Sequence, residues 1–388
     1  MRDVAIVSFA RTPCGRAVKG SLRDTRPDTL AALAVKEAVA RAGEALDPKL
    51  LGDVVLGCAM PEGEQGMNVA RVAVHLAGLP DEIPAMTINR FCSSGLQAIA
   101  IAAGQIAIGA MDAVVAGGVE SMSMVPMGGN KPSAHPGLFA ERPESYTGMG
   151  ITAENVARTF EISRERQDEF AYTSHMRAAA AREAGKFADE IVAVETSVFE
   201  ETGERKLKLE HDELIRPQTT QEGLAKLRPV FHAKGSVTPG NSSPLTDGAA
   251  AVVLMAADRA QELGLTVHGY FRNFSVVGTD PAIMGIGPVP AIRKLMELSG
   301  KKTDEIQTYE INEAFAAQAS YCVQELGLDP ARVNPNGGAI ALGHPLGATG
   351  AILTCKLLSE MKREDQKLGV VSMCIGGGMG AAGLFERA

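Results

Sequence analysis

Thr87-Ile88-Asn89-Arg90-Phe91-Cys92-Ser93-Ser94-Gly95 begins like a strand, passes through a short polar turn and leads into a helix-like stretch reaching Ile108. The same order returns at Ala339–Met361, with Gly343-His344-Pro345-Leu346-Gly347-Ala348-Thr349-Gly350 in the turn. Working outward from both, strand-like Val4–Val7 is echoed by Tyr270–Val277 and helix-like Leu30–Ala42 by Val289–Leu298. Strand-like Val54–Gly57 is echoed by Gln307–Ile311. Each copy then closes on a glycine-punctuated strand, Ala113-Val114-Val115-Ala116-Gly117-Gly118 and Gly369-Val370-Val371-Ser372. The identities differ, so what repeats is a pattern. Alternating strand-like and helix-like segments imply α/β layers, here as two similar halves.

A different kind of sequence separates the copies. Ser121–His135 is rich in Met, Gly and Pro and reads as loop. Thr152–Gly185 is helical and charged, with Ser163 as an N-cap and Gly185 as a stop. Asp212–Ser243 is irregular, and Ala250–Met255 reads as a strand that completes the first copy. The expected division is therefore a first half at 1–120 and 249–268, an excursion at 121–248 inserted in it, and a second half at 269–388. Long irregular excursions in compact enzymes commonly form lids or ligand walls.

Composition narrows the function. With 45% hydrophobic and 22% charged residues the chain is globular, and 388 residues exceed one ordinary core. A net charge of −8 argues against nucleic acid or an anionic membrane surface as partners. Six cysteines without CxxC spacing argue against a disulfide scaffold or a zinc ribbon. The sequons at Asn241 and Asn273 read as chance matches, since strand-like Val4–Val7 leaves no room for a leader. Phe91–Met111 carries no charge, but its serines, glutamines and glycines suit a helix buried on all sides better than a membrane span. A cytoplasmic protein is expected.

Three segments carry candidate chemistry. Cys92 stands where strand gives way to helix, where the helix dipole and free backbone N–H groups lower a thiol pKa. Taken alone it is nearly as well read as a small core residue, the fate assigned to Cys14, Cys58, Cys322 and Cys355. His344 occupies the matching turn of the second copy, where a neutral imidazole can take a proton from a thiol. Cys374 ends the last strand ahead of Gly376-Gly377-Gly378-Met379-Gly380. The match of Gly378-x-Gly380-x-x-Gly383 to a dinucleotide fingerprint fails, because the chain ends five residues later with no helix or acidic partner. These glycines instead bring backbone N–H groups near a reacting carbonyl. Asn312, after the strand ending at Ile311, fits an ordinary polar loop as well as a group that fixes a water or a carbonyl oxygen. If the halves pack symmetrically, Cys92 and His344 face each other. Metal binding ranks below catalysis, because zinc sites usually show a closely spaced ligand pair.

The segments around Cys92, Asn312-Glu313-Ala314-Phe315, Gly343-His344-Pro345 and Cys374-Ile375-Gly376 resemble the four sequence blocks of thiolases. Gly240-Asn241-Ser242-Ser243 with Asp247-Gly248-Ala249-Ala250 resembles that family's CoA-side loop, and the likeness spans essentially the whole chain. The resemblance implies a five-layered αβαβα thiolase fold with the excursion as a loop domain over CoA. It implies Cys92 as the acylated nucleophile, His344 as its base and Cys374 as the general acid/base. Asn312, through a water, and His344 would stabilise the enolate oxygen. The N–H groups of Cys92 and Gly376 would form a second oxyanion hole. Arg216 and Ser243 match CoA-contacting positions, and Ala314 and Phe315 match the pantetheine wall. CoA enters as a substrate, with no tightly bound cofactor and no metal. A homodimer or homotetramer, with a β-oxidation complex as a further partner, follows by analogy.

Acetoacetyl-specific members of the family usually carry a histidine before the Met-Gly of the loop-domain block Met149-Gly150-Ile151-Thr152-Ala153-Glu154, whereas this chain has Gly148. Pro136-Gly137-Leu138 and Ile283-Met284-Gly285-Ile286-Gly287-Pro288 also resemble degradative members. Long- or medium-chain 3-ketoacyl-CoA is the expected substrate, with acetoacetyl-CoA second. A decarboxylating condensing enzyme typically pairs its cysteine with two histidines, or with a histidine and an asparagine, and Cys374 argues against it. A non-catalytic acyl-CoA or lipid carrier on this fold is expected to lose a reactive residue, and all are present.

Overall fold

Strand β1 (Val4–Arg11) is buried along its whole length, as its nearly unbroken apolar run requires. It is followed by the two-residue β2 (Gly15–Arg16), α1 (Pro27–Arg41), β3 (Leu51–Gly57), α2 (Val69–Leu76), β4 (Ala85–Ile88), α3 (Ser94–Ala107) and β5 (Ala113–Ser121). The excursion holds α4 (Pro136–Glu141), α5 (Met149–Thr159), α6 (Arg164–Glu183), the hairpin β6 (Val194–Glu200) and β7 (Gly203–Leu209), and α7 (Gln221–Ala225). The chain returns through β8 (Thr246–Ala256) and α8 (Ala257–Glu262). The second half runs β9 (Gly269–Gly278), α9 (Pro288–Ser299), β10 (Thr308–Ile311), α10 (Ala316–Glu325), α11 (Ala339–Leu342), α12 (Leu346–Arg363), β11 (Leu368–Ile375) and β12 (Met379–Arg387). These elements come from a computed structural model that describes residues 1–388.

The strand order β10-β11-β12-β9-β1-β8-β5-β3-β4 makes the repeat visible. Outward from the centre it reads β1, β8, β5, β3, β4 on one side and β9, β12, β11, β10 on the other. The half-sheets join only where Ala5 pairs Tyr270 and Ile6 pairs Gly269. In the second half the counterpart of β4 shrinks to one bridge between Tyr309 and Val333.

Three apolar clusters define the layers. One packs α1 and α2 residues such as Leu30, Val35 and Val74 on the first half-sheet. The second buries α3 and α12, through Leu96, Ile99, Ile352 and Leu357, between Val114 and Val252 of one half-sheet and Val371 and Phe385 of the other. The third seats Ile292, Leu295 and Val323 of α9 and α10 on Tyr309, Val370 and Leu384. Five layers result, with α3 and α12 in the middle.

Two expectations need correction. Ala339–Met361 contains no strand, because Ala339-Ile340-Ala341-Leu342 is one buried helical turn. Four apolar residues suit a short strand or a buried helix equally, and here the Ile340 N–H donates to the Glu313 carboxylate at 3.2 Å, which favours the helical form. Helix α3 is not buried on every side, since Gly104 is exposed. The Ser163 hydroxyl does cap α6, accepting from the Arg166 N–H, and Gly185 follows the helix with φ +69. No helix is long and apolar enough to cross a membrane.

Candidate active site

Cys92 lies in the 3₁₀ turn Phe91–Ser93 that joins β4 to α3. Phe91 has φ 43, a left-handed conformation that costs a bulky residue energy and persists only when its surroundings impose it. The imposing group is Asn89, whose Oδ1 accepts the Phe91 N–H at 2.8 Å while its Nδ2 donates to the Ala59 carbonyl at 2.9 Å. The turn is further clamped by the Ser94 hydroxyl, which donates to the Phe91 carbonyl at 2.7 Å. Cys92 packs against Ala17, Ala59, Met122 and Leu346, and the backbone N–H groups of Gly376 and of Cys92 itself pull its pKa down. Burial pushes the thiol up to about 12, overriding these backbone N–H groups, and the Glu120 carboxylate pushes the same way. The expected lowering by the helix N-terminus is therefore outweighed. At rest Cys92 is a thiol and needs a base.

The matching turn ahead of α12 places an imidazole, His344. Gly343 has φ +107, and a Cβ there would lie 2.6 Å from the Thr246 side chain, so only glycine fits. The His344 N–H then donates to Thr246 Oγ1 at 3.0 Å. Thr349 Oγ1 stands 2.6 Å from His344 Nδ1 and donates its one proton to the Pro345 carbonyl at 2.9 Å. Toward the imidazole the hydroxyl must accept, which puts the ring proton on Nδ1 and leaves Nε2 with a lone pair. Nε2 faces Asn312 Nδ2 at 3.2 Å. Burial lowers the imidazole to about 4, so it is neutral over the ordinary pH range.

Asn312 leaves the end of β10 with its N–H on the Ser372 carbonyl at 2.9 Å, and its Oδ1 is buried without a partner. An unpartnered amide oxygen thus sits beside an imidazole lone pair that accepts from the same amide's Nδ2. Cys374 is fully buried near the end of β11, packed on Met284 and Ala314 with Met149 and Phe315 alongside. Burial holds its thiol well above the usual range, with the charge of Cys92 next in effect. Gly376 follows the strand, and a Cβ on it would lie 3.6 Å from Met149 Sδ and 3.7 Å from the Phe91 ring. Cys92, His344, Asn312, Cys374 and Gly376 therefore converge from both halves.

On the ligand side, the backbone N–H and the hydroxyl of Ser243 both donate to the Ala314 carbonyl at 3.0 Å. Phe315 meets Phe231 edge to face at 6.1 Å. Arg216 stands apart, its side chain exposed and its backbone N–H donating to His175 Nδ1 at 3.3 Å. Sequence reasoning missed Thr349, Phe231 and Glu120 as contributors. Thr349 had a readable signal, since a hydroxyl five residues after a turn histidine returns to it across the first helical turn. Phe231, in an irregular segment, had none.

The chemistry of this arrangement agrees with comparisons to known proteins. A model of the thiolase N-terminal domain matches residues 4–258, and one of the thiolase C-terminal domain matches residues 265–387. The chain belongs to the thiolase family. It is 53% identical to the 3-ketoacyl-CoA thiolase of Bacillus subtilis (strain 168), with all of both chains covered. It is 48% identical to the peroxisomal 3-ketoacyl-CoA thiolase of Homo sapiens, covering 99% of this chain and 91% of that one. Among solved thiolase structures, the acetyl-CoA acetyltransferase of Bacillus anthracis superimposes with a TM-score of 0.91 at 41% identity, over 100% of this chain and 99% of the other. This thiolase therefore has the five-layered family fold that its sequence blocks implied.

Proposed function

We propose that this thiolase cleaves 3-ketoacyl-CoA with free CoA, giving acetyl-CoA and a shortened acyl-CoA. The observation that carries the reading is the meeting of two neutral thiols with a neutral imidazole whose Nε2 lone pair is free of its own proton. Cys92 Sγ attacks the 3-keto carbon as His344 Nε2 takes the thiol proton. The N–H groups of Cys92 and Gly376 receive the tetrahedral oxyanion. The bond between the second and third carbons then breaks, and its electrons move onto the thioester oxygen as an enolate. Protonated His344 donates to that oxygen, and Asn312 orders a water beside it. Cys374 protonates the enolate carbon and releases acetyl-CoA. The Cys374 thiolate next deprotonates incoming CoA, whose sulfur attacks the acyl-Cys92 thioester. The leaving Cys92 thiolate recovers its proton from His344, and the site is restored.

For chain length, Gly148 is the supporting feature, since a Cβ placed there meets nothing within 4 Å. The space beside Met149 supports medium- or long-chain substrates over acetoacetyl-CoA, and so does the higher identity to the named 3-ketoacyl-CoA thiolases. Arg216 and Ser243 contact CoA in this reading, with Ala314 and Phe315 lining its pantetheine arm. No tightly bound cofactor or metal takes part. The free outer edge of β4 supports self-association as a homodimer or homotetramer, and a cytoplasmic setting within β-oxidation suits the reaction. The decisive assay follows CoA-dependent loss of the 3-ketoacyl-CoA enolate absorbance across chain lengths. Substrate without CoA should leave an acyl mass on the Cys92 peptide. Acyl mass on Cys374 alone, or on neither cysteine, overturns the assignment.

A further inference from the structure

The two half-sheets can be superimposed by register, and the superposition assigns a role to a residue outside the proposed chemistry. Gly57 of β3 pairs Gly118 of β5, and Ile311 of β10 pairs Ser372 of β11. One residue beyond the first strand of each pair stand Cys58 and Asn312. Two residues beyond the second strand's position stand Glu120 and Cys374. The antiparallel neighbours agree, with Glu120 opposite Gly248 and Cys374 opposite Gly380. Where the second half carries Asn312 and Cys374, the first half therefore carries Cys58 and Glu120.

Glu120 is completely buried, and its carboxylate collects N–H groups from three places. Oε2 accepts from the Ala59 N–H at 2.7 Å and from the Gly347 N–H, in the first turn of α12, at 2.8 Å. Oε1 accepts from Gln65 Nε2 at 2.8 Å and from the Met60 N–H at 3.2 Å. On one side, Ala59 holds Asn89, and Asn89 holds the strained Phe91 beside Cys92. On the other side, Gly347 lies in the helical turn that His344 enters. The fit is tight, because a Cβ on Gly347 would stand 2.8 Å from Glu120 Oε2 and 2.7 Å from the Cys58 Cα.

We propose that Glu120 is a positioning residue, a buried carboxylate strut that sets the Cys92 turn against the His344 turn. The inference rests on the reading of Cys92 as nucleophile and His344 as base. Burial pushes the Glu120 carboxyl above its ordinary range, while the N–H groups of Ala59, Gly347 and Met60 and the Gln65 amide favour its charged form. When ionised, the carboxylate also disfavours a negative charge on the Cys92 sulfur, an influence behind burial and the backbone N–H groups. The second half uses the matching position for a proton-carrying thiol; the first half uses it to hold the nucleophile's geometry.

The test combines turnover with the pH dependence of iodoacetamide alkylation at the Cys92 peptide, in the full-length protein and two variants. Glu120→Gln removes the charge and keeps the size. Its alkylation midpoint should fall, so that Cys92 reacts faster at a fixed pH below the midpoint. Its kcat should fall by roughly 10²-fold, with KM for CoA nearly unchanged, because the turns lose their registry. Glu120→Asp keeps the charge and shortens the strut, so the midpoint should stay while kcat falls. A merely structural role lowers the folded fraction and leaves kcat per folded molecule unchanged, and that result in Glu120→Gln overturns the proposal. If Glu120→Gln does not fold, Glu120→Asp decides alone: full turnover overturns the strut, and a lowered kcat at unchanged KM supports it. Failure of unmodified protein to acylate Cys92 would instead sink the underlying assignment of the nucleophile, so the two failures are distinguishable.

Discussion

The turn before α3 and the turn before α12 occupy matching places, yet they reach opposite chemical ends by the same physical means. The first strains Phe91 to aim a thiol, and the second uses Gly343 and Pro345 to aim an imidazole. Burial raises the acid Cys92 to about 12 and lowers the base His344 to about 4. Desolvation penalises whichever form is charged, so both groups rest neutral. This differs from cysteine enzymes that store a thiolate–imidazolium pair. In the proposed mechanism the proton transfer is deferred until an acyl carbonyl and the Gly376 N–H can share the developing charge. Enclosure, more than a pre-made ion pair, sets the resting state.

The sharpest way to break that contrast is to remove the thiol. Cys92→Ala should lower turnover by on the order of 10⁶-fold, the scale seen when a hydrolase loses its nucleophile. Its thermal midpoint should stay close to that of the unmodified protein, because a small buried group is lost, and substantial residual thiolysis would place the nucleophile elsewhere. Cys374→Ser probes the other thiol. A hydroxyl is a far weaker acid, so both half-reactions slow, with a loss of ~10²–10⁴-fold in kcat. Iodoacetamide should still alkylate Cys92 in this variant, and near-normal turnover would end the two-thiol mechanism.

Thr349→Val sharpens the comparison at the imidazole. Without the acceptor at Nδ1 the ring can carry its proton on Nε2 and lose its role as base. A fall of about 10–100-fold is expected, the range for groups that orient a functional histidine. Thr349→Ser should restore most of it. The ¹⁵N shifts of His344 report the tautomer directly, and an unchanged tautomer in Thr349→Val would remove this role.

The smallest effect is on stability against pH. Folded His344 titrates near 4 and an unfolded histidine near 6.5, so the unfolded chain binds the proton first. The stabilisation is complete above pH 6.5 and is lost progressively as pH falls toward 4, by about 1.4 kcal/mol per pH unit at most. Buried His175, also lowered to about 4, acts in the same direction. Denaturant midpoints at pH 7.5 and 5 should therefore differ less in His344→Asn than in the unmodified protein. An equal difference would show that His344 titrates normally.

Much of this was legible in the sequence because strand and helix periodicities survive when identities change. Val54–Gly57 and Gln307–Ile311 share few residues, yet each reads as a buried strand, and the sheet places them as β3 and β10. Cys92, His344 and Cys374 could be singled out because each stands at or near the place where one element gives way to the next, where backbone constraint is written locally. What escaped depended on partners distant in the chain. The helical turn at Ala339–Leu342 is decided by Glu313, and the protonation of Cys92 by enclosure from both halves. Glu120 reads as an ordinary polar residue after Val119 until Ala59 and Gly347 are seen on its oxygens.

The register also bears on how the chain assembles in time. In the second half, β11 and β12 are joined by Gly376-Gly377-Gly378, with Gly377 and Gly378 at positive φ, so that pair can zip from a tight turn. In the first half the matching strands β5 and β8 are separated by the whole excursion, and Ser121 reaches its partner Asp247 across 126 positions. Closing so long a loop costs about 3 kcal/mol more than closing a hairpin, and long-range pairing slows folding. During synthesis the first half emerges earlier yet waits for the excursion before β8 can seat, leaving the inner edge of β5 open meanwhile. The half made first thus waits longest for its own closing strand, and that open edge is where a nascent chain would be vulnerable to mispairing and to chaperone capture.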